Sequence, residues 1–195
     1  MSDFYKQLFE AADQLRKNID AAEYKHVALG LIFLKYISDT FNKTYLELTK
    51  NKDADPEDPD EYTAKNAFYL SKKSRWDYIV KNARQPNIGN LLDEALIDIE
   101  KKNISLKDVL PKVYSRSNLD QATLGQLIDL FNNIEEKTIK LNKQDLFGEI
   151  YEYFLGQFAF KEGKKGGQYY TPRSLVTLMV NLLKPSKGRI FDPAC

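Results

Sequence analysis

Apolar side chains recur at helical spacing along most of this 195-residue chain. The clearest case lies between residues 88 and 99, where apolar positions follow the i, i+3, i+4, i+7, i+8 pattern of one helix face. Similar patterns predict helices over residues 3–18, 120–131 and 146–158. Gly148 and Gly156 fall on nearly the same side of the last of these helices. Because glycine has no side chain, this spacing predicts close approach of a neighbouring helix.

The segment from Tyr24 to Ile37 is apolar at almost every position. A helix that is apolar all round is buried all round, so this segment predicts the central helix of a helical bundle. Asp20 is a suitable N-cap, because an aspartate side chain accepts hydrogen bonds from the free N–H groups of a first helical turn. The helix is predicted to continue to Leu48. Its apolar run is too short to cross a bilayer.

Three further segments stand out by their polarity. Residues 51–60 are acidic and rich in proline, which predicts an exposed connector rather than a metal site. Residues 62–84 interleave aromatic and basic side chains, a pattern found in stacking platforms for single-stranded nucleic acid. Aromatic side chains are readily buried, however, so a set of core aromatics with a basic rim is the favoured interpretation. Residues 135–144 are polar and mixed in charge, which predicts a domain boundary.

The carboxyl-terminal region combines a well-marked helix with a short apolar segment. Thr171 is a good N-cap and Pro172 suits the first helical position, so a helix is predicted from there to Leu183. After a turn, Arg189–Phe191 has the pattern of a short buried strand. Asp192 would then follow the carboxyl end of that strand, where open α/β sheets bind their ligands.

Composition narrows the classes of function. The chain has 29 basic and 28 acidic side chains and a net charge of +1, so it lacks the basic excess of a domain that holds a duplex by itself. Hydrophobic residues make up 43%, which is enough for a core. A single cysteine, Cys195, excludes an internal disulfide and fits a reducing compartment. With a polar start and no signal peptide, we expect a cytoplasmic protein.

The sequence gives little evidence for a metal site or for a hydrolase active site. His26, the only histidine, lies beside the apolar run and is expected to be a packed or surface side chain. Cys195 has no base partner that would make it a nucleophile. Residues 161–167 (KEGKKGG) match neither a Walker loop nor G-x-G-x-x-G. A simple connector and a loop that orders over a ligand are equally compatible with that segment.

Two separate stretches carry a family resemblance. One reads GGQYYTPR and is followed by IFDPAC, and the other reads DQLRKNIDAAEYKHVALGLIFLKYISDTF. Both resemble the modification (methyltransferase, M) subunit of type I restriction-modification systems, and the chain looks like an amino-terminal fragment of such a subunit. The resemblance covers essentially the whole chain. Since the two stretches lie far apart, chance similarity is a poor explanation.

The resemblance implies a mostly α fold in two parts. Residues 1–140 would form the helical N-terminal bundle, and residues 144–195 the truncated start of an α/β Rossmann-like, adenine-specific DNA methyltransferase domain. The full-length enzyme would methylate a flipped adenine with S-adenosyl-L-methionine as cofactor. In this family an Asn-Pro-Pro-aromatic motif holds the adenine, and that motif does not occur in these residues. The fragment alone is therefore predicted to be inactive, and neither catalytic nor metal-binding residues are assigned.

The resemblance also implies a set of cofactor-binding residues. They are Gln168, Tyr169, Tyr170, Thr171, Pro172, Arg173 and Asp192. A helix amino terminus after Thr171 suits a carboxylate such as that of the methionine part, and the two tyrosines suit the adenosine part. An ordinary helix cap with two core tyrosines would give the same local pattern. The resemblance favours the cofactor interpretation.

The implied partners follow from the same family. They are double-stranded DNA with an adenine target, a specificity subunit, a second copy of the modification subunit and, where the system has one, a restriction subunit; no membrane is expected. Two other classes remain open. One is a stand-alone helical interaction module from a truncated gene, and the other is part of a self-contained or nuclease-fused adenine methyltransferase. The sequence gives neither the DNA target nor the stoichiometry.

Overall fold

The computed structural model describes residues 2–16, 19–116, 119–134, 146–161 and 173–184, together with Ser186, Gly188 and Phe191. Within these residues every regular element is helical. The helices are α1 (Ser2–Leu15), α2 (Ala21–Leu48), α3 (Pro59–Ala64), α4 (Trp76–Lys81), α5 (Ile88–Lys102), a 3₁₀ helix (Ile104–Leu106), α6 (Gln121–Asn132), α7 (Leu146–Lys161) and α8 (Arg173–Leu183).

Helix α2 is the centre of the bundle, as its sequence predicts, and α4, α6 and α7 pack against it. Asp20 caps its start by accepting a 2.8 Å hydrogen bond from the Ala22 N–H. Lys35 is only 1% exposed and pairs with Asp39 one turn later, at 2.5 Å. Because an unpaired buried ammonium is strongly unfavourable, this pair allows a charged residue to lie within the apolar helix.

Tyr114 connects the loop after α5 to helices α2 and α5. Its phenol is fully buried and donates a 3.0 Å hydrogen bond to the Val27 carbonyl. The backbone N–H groups of Tyr114 and Ser115 donate to the Asp93 carboxylate at 3.1 and 2.9 Å. Burial raises the pKa of the Tyr114 phenol, and the Asp93 charge raises it further, so the phenol remains a donor. Gly30 makes room for the ring, because a Cβ there would lie 2.3 Å from the Tyr114 oxygen.

Helix α6 packs closely against the residues that directly follow α4. A Cβ on Gly125 would lie 2.4 Å from the Ala83 carbonyl oxygen, so the two backbones approach without an intervening side chain. Trp76, at the start of α4, is 1% exposed. Its indole N–H donates to Asn132 Oδ1 at 3.0 Å, and its backbone N–H donates to Ser38 Oγ at 2.8 Å. These bonds join α4 to both α6 and α2.

The aromatic side chains of residues 62–84 belong to the core. Tyr62, Tyr69 and Trp76 are buried, whereas the lysines of this segment are exposed. Arg75 lies 4.5 Å from the centre of the Phe41 ring and pairs with Glu57 at 2.9 Å. The interpretation as core aromatics with a basic rim is confirmed, and these rings do not form an exposed stacking platform.

The structure confirms the long predicted helices and corrects one element. The short helices α3 and α4 were not predicted, and the predicted boundary at residues 135–144 lies outside the described residues. The predicted buried strand is not found at Phe191, which is 85% exposed and has no strand conformation; Arg189 and Ile190 lie outside the described residues. A strand needs neighbouring strands for its backbone hydrogen bonds, and none occurs in the described part of the chain. The helical domain therefore agrees with the predicted fold, whereas the described residues show no Rossmann-like start.

Glu100 holds the loop after α5 against that helix. Its carboxylate accepts a 2.8 Å hydrogen bond from the Leu110 N–H and pairs with Lys112 at 2.5 Å. Burial opposes the ionisation of Glu100, but donation by Lys112 and by the Leu110 N–H outweighs it. The net effect lowers the pKa of Glu100 below its ordinary value of 4.5.

We expect Glu100→Gln to lower the free energy of unfolding by about 1 kcal/mol at neutral pH, because an amide replaces a charge-assisted acceptor. The folded-state pKa of Glu100 is lowered, so its stabilisation is present above the unfolded-state pKa and is lost as the pH falls through the folded-state pKa. In urea unfolding, the difference between wild type and variant should therefore shrink once the pH falls below 4.5. Glu94→Gln, at an exposed position of α5, is the control at neutral pH. Equal losses in the two variants would contradict this role of Glu100.

Candidate cofactor-binding region

The predicted cofactor-binding residues lie at the edge of the described structure. Gln168, Tyr169, Tyr170, Thr171, Pro172 and Asp192 lie outside the described residues. Arg173 is the first residue of α8, which ends at Leu183. The predicted helix end at Leu183 is confirmed, whereas the predicted cap Thr171 and first helical position Pro172 lie outside the described residues.

Helix α8 exposes all seven of its apolar side chains. Their exposed fractions lie between 40% and 78%: Leu175, Val176, Leu178, Met179, Val180, Leu182 and Leu183. Thr177 and Asn181 lie one turn apart on the opposite side. A contiguous apolar surface of this kind is rare on a soluble domain and marks a face that another element covers.

Helix α7, which precedes this region, is anchored in the helical bundle. Phe154 and Phe158 are fully buried, and each meets the ring of Phe9 edge to face with centroids 5.1 Å apart. Phe131 of α6 contacts Phe154, and Tyr24 of α2 contacts Phe158, both with centroids 6.1 Å apart. One face of α7 therefore packs on α1, α2 and α6 at once.

The last turn of α7 meets the last turn of α1. The Lys161 ammonium pairs with Asp13 at 2.5 Å and lies 5.2 Å from the centre of the Phe9 ring. Asp13 also lies 3.3 Å from the guanidinium of Arg16, the residue directly after α1. We call Asp13, Arg16 and Lys161 the α1–α7 junction. Because Lys161 is the last residue of α7, the junction fixes the end of the helix from which the chain continues towards Gln168.

A cleft of about 540 Å³ lies beside α5, next to the turn at residues 71–74. Asp98 and Glu57 are already engaged, whereas the third carboxylate of its described lining, Glu94, is exposed. Asp98 accepts hydrogen bonds from the Ser71 and Ser74 hydroxyls at 2.5 and 2.8 Å. Glu57 accepts a 3.2 Å hydrogen bond from Tyr69, and burial together with this bond raises the pKa of the Tyr69 phenol. These groups hold the turn onto α5, and among the described residues that line the cleft there is neither a histidine nor a cysteine to make a nucleophile–base pair.

The parts of the chain that the structure describes give little evidence for a metal site, a functional histidine or a membrane-spanning helix. No group of three or more metal-binding side chains occurs there. His26 was expected to be a packed or surface side chain, and it is exposed at the rim of a groove between α2, α7 and the loop at Pro111. None of the described helices combines the length and the apolar content that crossing a bilayer requires.

Comparison with known families covers both parts of the chain. Residues 4–131 match the HsdM N-terminal domain, and residues 142–195 match the N-6 DNA Methylase family. The chain is 42% identical to the type I restriction enzyme MjaIX methylase subunit of Methanocaldococcus jannaschii, over 99% of this chain and 37% of the relative. It is 41% identical to the HindI methylase subunit of Haemophilus influenzae, over 55% of this chain and 26% of the relative. The EcoKI methylase subunit of Escherichia coli is 25% identical over 99% of this chain and 32% of the relative.

The chain belongs to the family of type I restriction enzyme methylase subunits. It carries the helical N-terminal domain of that family together with a segment of its methylase domain. The resemblance drawn from the sequence is confirmed. The chain spans about a third of the length of the curated relatives MjaIX and EcoKI.

Sequence reasoning missed the α1–α7 junction. Helix α7 lies within residues 142–195, the methylase match, yet its buried face packs on helices within residues 4–131. Asp13 and Lys161 are 148 positions apart, so no local pattern connects them. The available signal was the apolar face of residues 146–158, which predicts that α7 packs on something but does not identify the partner helix.

Proposed function

We propose that this chain is part of a DNA methyltransferase subunit that methylates adenine with S-adenosyl-L-methionine. The observation that carries the proposal is the match of residues 142–195 to the N-6 DNA Methylase family, within which α8 begins where the GGQYYTPR stretch ends. The cofactor supplies the methyl group. The 195 residues contain no Asn-Pro-Pro-aromatic motif, so they are inert by themselves under this proposal.

Residues Gln168–Arg173 and Asp192 are the proposed contribution to the cofactor pocket. The first turn of α8 has free backbone N–H groups and the positive end of the helix dipole, which suits the carboxylate of the methionine part. The rings of Tyr169 and Tyr170 pack against the adenosine part. Asp192 accepts a hydrogen bond from the cofactor or from its binding loop. No catalytic residue and no metal ligand is proposed within these 195 residues.

The apolar face of α8 supports a sheet-packed position for this helix. In a Rossmann-like domain, helices cover the faces of a mostly parallel sheet with their apolar side chains. The seven exposed apolar side chains of α8 have the breadth that such a contact needs. We therefore propose that residues 144–195 belong to an α/β methyltransferase domain and that residues 1–140 form its helical partner domain.

The proposed partners are those of a subunit that methylates within a complex. The relatives are named as methylase subunits of type I restriction enzymes, and the near-neutral charge of these 195 residues is compatible with DNA contacts that are shared with other parts of a complex. The partners are double-stranded DNA with an adenine target, a specificity subunit, a second modification subunit and, in a full restriction system, a restriction subunit.

Cofactor binding by the complete subunit tests the proposal. We expect Tyr170→Ala to weaken S-adenosyl-L-methionine binding about fivefold or more, because loss of an aromatic contact of this kind removes upwards of about 1 kcal/mol. Isothermal titration calorimetry measures the Kd directly. Tyr36→Ala, at an exposed position of α2, is the matched control and should leave the Kd unchanged. A wild-type subunit without affinity for the cofactor would overturn the proposal.

A stand-alone interaction module is the second candidate. The buried residues from α1 to α7 form one continuous hydrophobic cluster, so the helical part has a core of its own. Capture of a specificity subunit by this part, together with a complete subunit that does not bind the cofactor, would favour this candidate over the methyltransferase.

A further inference from the structure

We propose that the groove beside α2 is a docking site for an amphipathic helix of another protein chain, one that carries carboxylates beside its apolar face. The groove has a volume of about 340 Å³. Its apolar lining comes from α2 (Leu29 and Phe33), from α7 (Tyr151 and Leu155) and from the loop after α5 (residues 109–111). We call it the α2 groove. Its proposed role goes beyond the methyltransferase activity and does not depend on it.

An apolar stripe along α2 extends the groove. Leu29, Phe33 and Tyr36 follow one another at spacings of four and three, so they lie on one face of the helix. Tyr36 is 41% exposed, and the half-buried Phe33 ring lies beside Phe68 with centroids 6.4 Å apart. From His26 to Tyr36 the stripe is about 15 Å long, at about 1.5 Å per residue. An elongated apolar groove of this length suits the helix-in-groove mode of recognition, with about three turns of a partner helix.

The wall opposite α2 is already in place in the free chain. Gly30 allows the loop to come close, because a Cβ there would lie 2.9 Å from Pro111 Cγ. The Leu110 N–H donates a 2.8 Å hydrogen bond to the Glu100 carboxylate, which ties the loop to α5. Val109, at the rim, is 67% exposed. A preformed groove of this kind binds a partner at a lower entropic cost than a surface that must first be ordered.

The charges around the groove favour an acidic partner. Among the described residues that line it, the side chains that can carry a positive charge are Lys25 and His26, and no carboxylate occurs. Lys43 is exposed on the same face of α2, near the other end of the stripe. Basic side chains therefore lie at both ends of the stripe. Carboxylates that flank the apolar face of a partner helix would complement them.

The carboxylates nearby leave this charge pattern in place. Each of the three carboxylates on α2 already pairs with a basic side chain: Glu23 with Arg116, Asp39 with Lys35 and Glu47 with Lys65. Asp108 and Glu152 follow the loop and α7 segments of the groove in sequence, but neither belongs to its lining. The open part of the groove is thus apolar along its length and basic at its ends.

Binding of a defined helical peptide to the 195-residue chain tests the proposal. The probe is a fluorescein-labelled peptide of about 14 residues, or about four turns, with leucines at i, i+3, i+4 and i+7 and glutamates beside them. The control peptide keeps the leucines and has lysines in place of the glutamates. We expect fluorescence anisotropy to give a Kd at least about tenfold lower for the acidic peptide, because the groove attracts its charges and repels those of the control. Equal binding of the two peptides would overturn the proposal.

Substitutions on α2 locate the binding site. Tyr36→Asp should weaken binding of the acidic peptide at least about tenfold, because it places a carboxylate within the apolar stripe. Leu46→Asp is the matched control, since Leu46 is 60% exposed on another side of the same helix. A double variant with His26→Glu and Lys43→Glu should prefer the basic peptide instead. Unchanged binding in Tyr36→Asp, or equal weakening in Leu46→Asp, would contradict docking in the α2 groove.

Two further measurements examine the other possible occupants. We expect the complete subunit to bind the acidic peptide as the 195-residue chain does. If only the shorter chain bound it, the rest of the subunit would occupy the groove, and the proposal would fail. We also expect wild type and Tyr36→Asp to sediment alike, whereas self-association that Tyr36→Asp abolishes would make a second copy the occupant. Either failure leaves the proposed function intact, because cofactor binding by the complete subunit tests that function separately.

Discussion

Phe154→Ala should lower the free energy of unfolding by about 3–5 kcal/mol, the range for removing a buried phenylalanine. The Phe154 ring is fully buried, and it contacts rings on α1, α6 and α7 itself. Three surfaces that meet at one ring cannot all move into the space it leaves, so a cavity remains. Since domains of this size are stabilised by about 5–15 kcal/mol, the loss is a large part of the total. Urea unfolding followed by circular dichroism measures it.

Phe160→Ala is the matched control for this substitution. It removes the same ring from the same helix, but Phe160 is 71% exposed. We expect its effect to stay within about 0.5 kcal/mol, as for other surface substitutions. Similar losses in the two variants would mean that α7 does not pack on the bundle through its Phe154 face.

Gly125→Ala should destabilise the protein by about 3 kcal/mol, at the upper end of the range for overpacking. A Cβ at this position would lie 2.4 Å from the Ala83 carbonyl oxygen. The obstacle is backbone, which cannot rotate away as the end of a flexible side chain can. The helix α6 must therefore separate from the end of α4, and the hydrogen bond between Trp76 and Asn132 that spans them is disturbed.

Gly156→Ala provides the opposite expectation. Gly156 also lies within a helix, but a Cβ there would meet nothing within 4 Å. Alanine is the better helix former by about 0.5–1 kcal/mol, so this variant should be slightly more stable than wild type. Thermal unfolding of the two variants side by side makes the comparison. Destabilisation by both would indicate that glycine is needed for backbone conformation rather than for space.

The sequence predicts the long helices well, because their signals are local. The cap at Asp20 and the all-round apolar character of α2 depend only on nearby residues, and both are confirmed. The same holds for α6, where Asp120 accepts a 3.1 Å hydrogen bond from the Thr123 N–H. Short helices such as α4 escape prediction, since Trp76 is anchored by Ser38 and Asn132, which lie far away in sequence.

The glycines illustrate the limit of local reasoning. The spacing of Gly148 and Gly156 predicted a close helix contact, and this prediction is wrong at Gly156, where the space is open. The tight position is Gly125, whose neighbour Ala83 comes from a distant segment. A glycine leaves space at the helix surface because it has no side chain. Whether another backbone segment fills that space depends on the tertiary fold.

In the candidate site, too, features that depend on nearby residues could be predicted from the sequence, and features that depend on distant residues could not. The helix ending at Leu183 was predicted from local signals and is confirmed over Arg173–Leu183, whereas its predicted cap at Thr171 lies outside the described residues. The strand at Arg189–Phe191 was predicted from its apolar pattern, but a strand is stable only when a neighbour pairs with it, and Phe191 is exposed. The assignment of Tyr169, Tyr170 and Asp192 to the cofactor pocket remains a prediction.

The contact between α1 and α7 also has a consequence for synthesis on the ribosome. Tyr5 donates a hydrogen bond to Glu149, which lies 144 positions later in the chain. At translation rates of about 5–20 residues per second, α1 emerges roughly 7–30 s before the helix that covers Phe9. During this interval the apolar face of α1 is open to chaperones and to neighbouring nascent chains. Helix α1 thus waits for a partner helix that is synthesised much later.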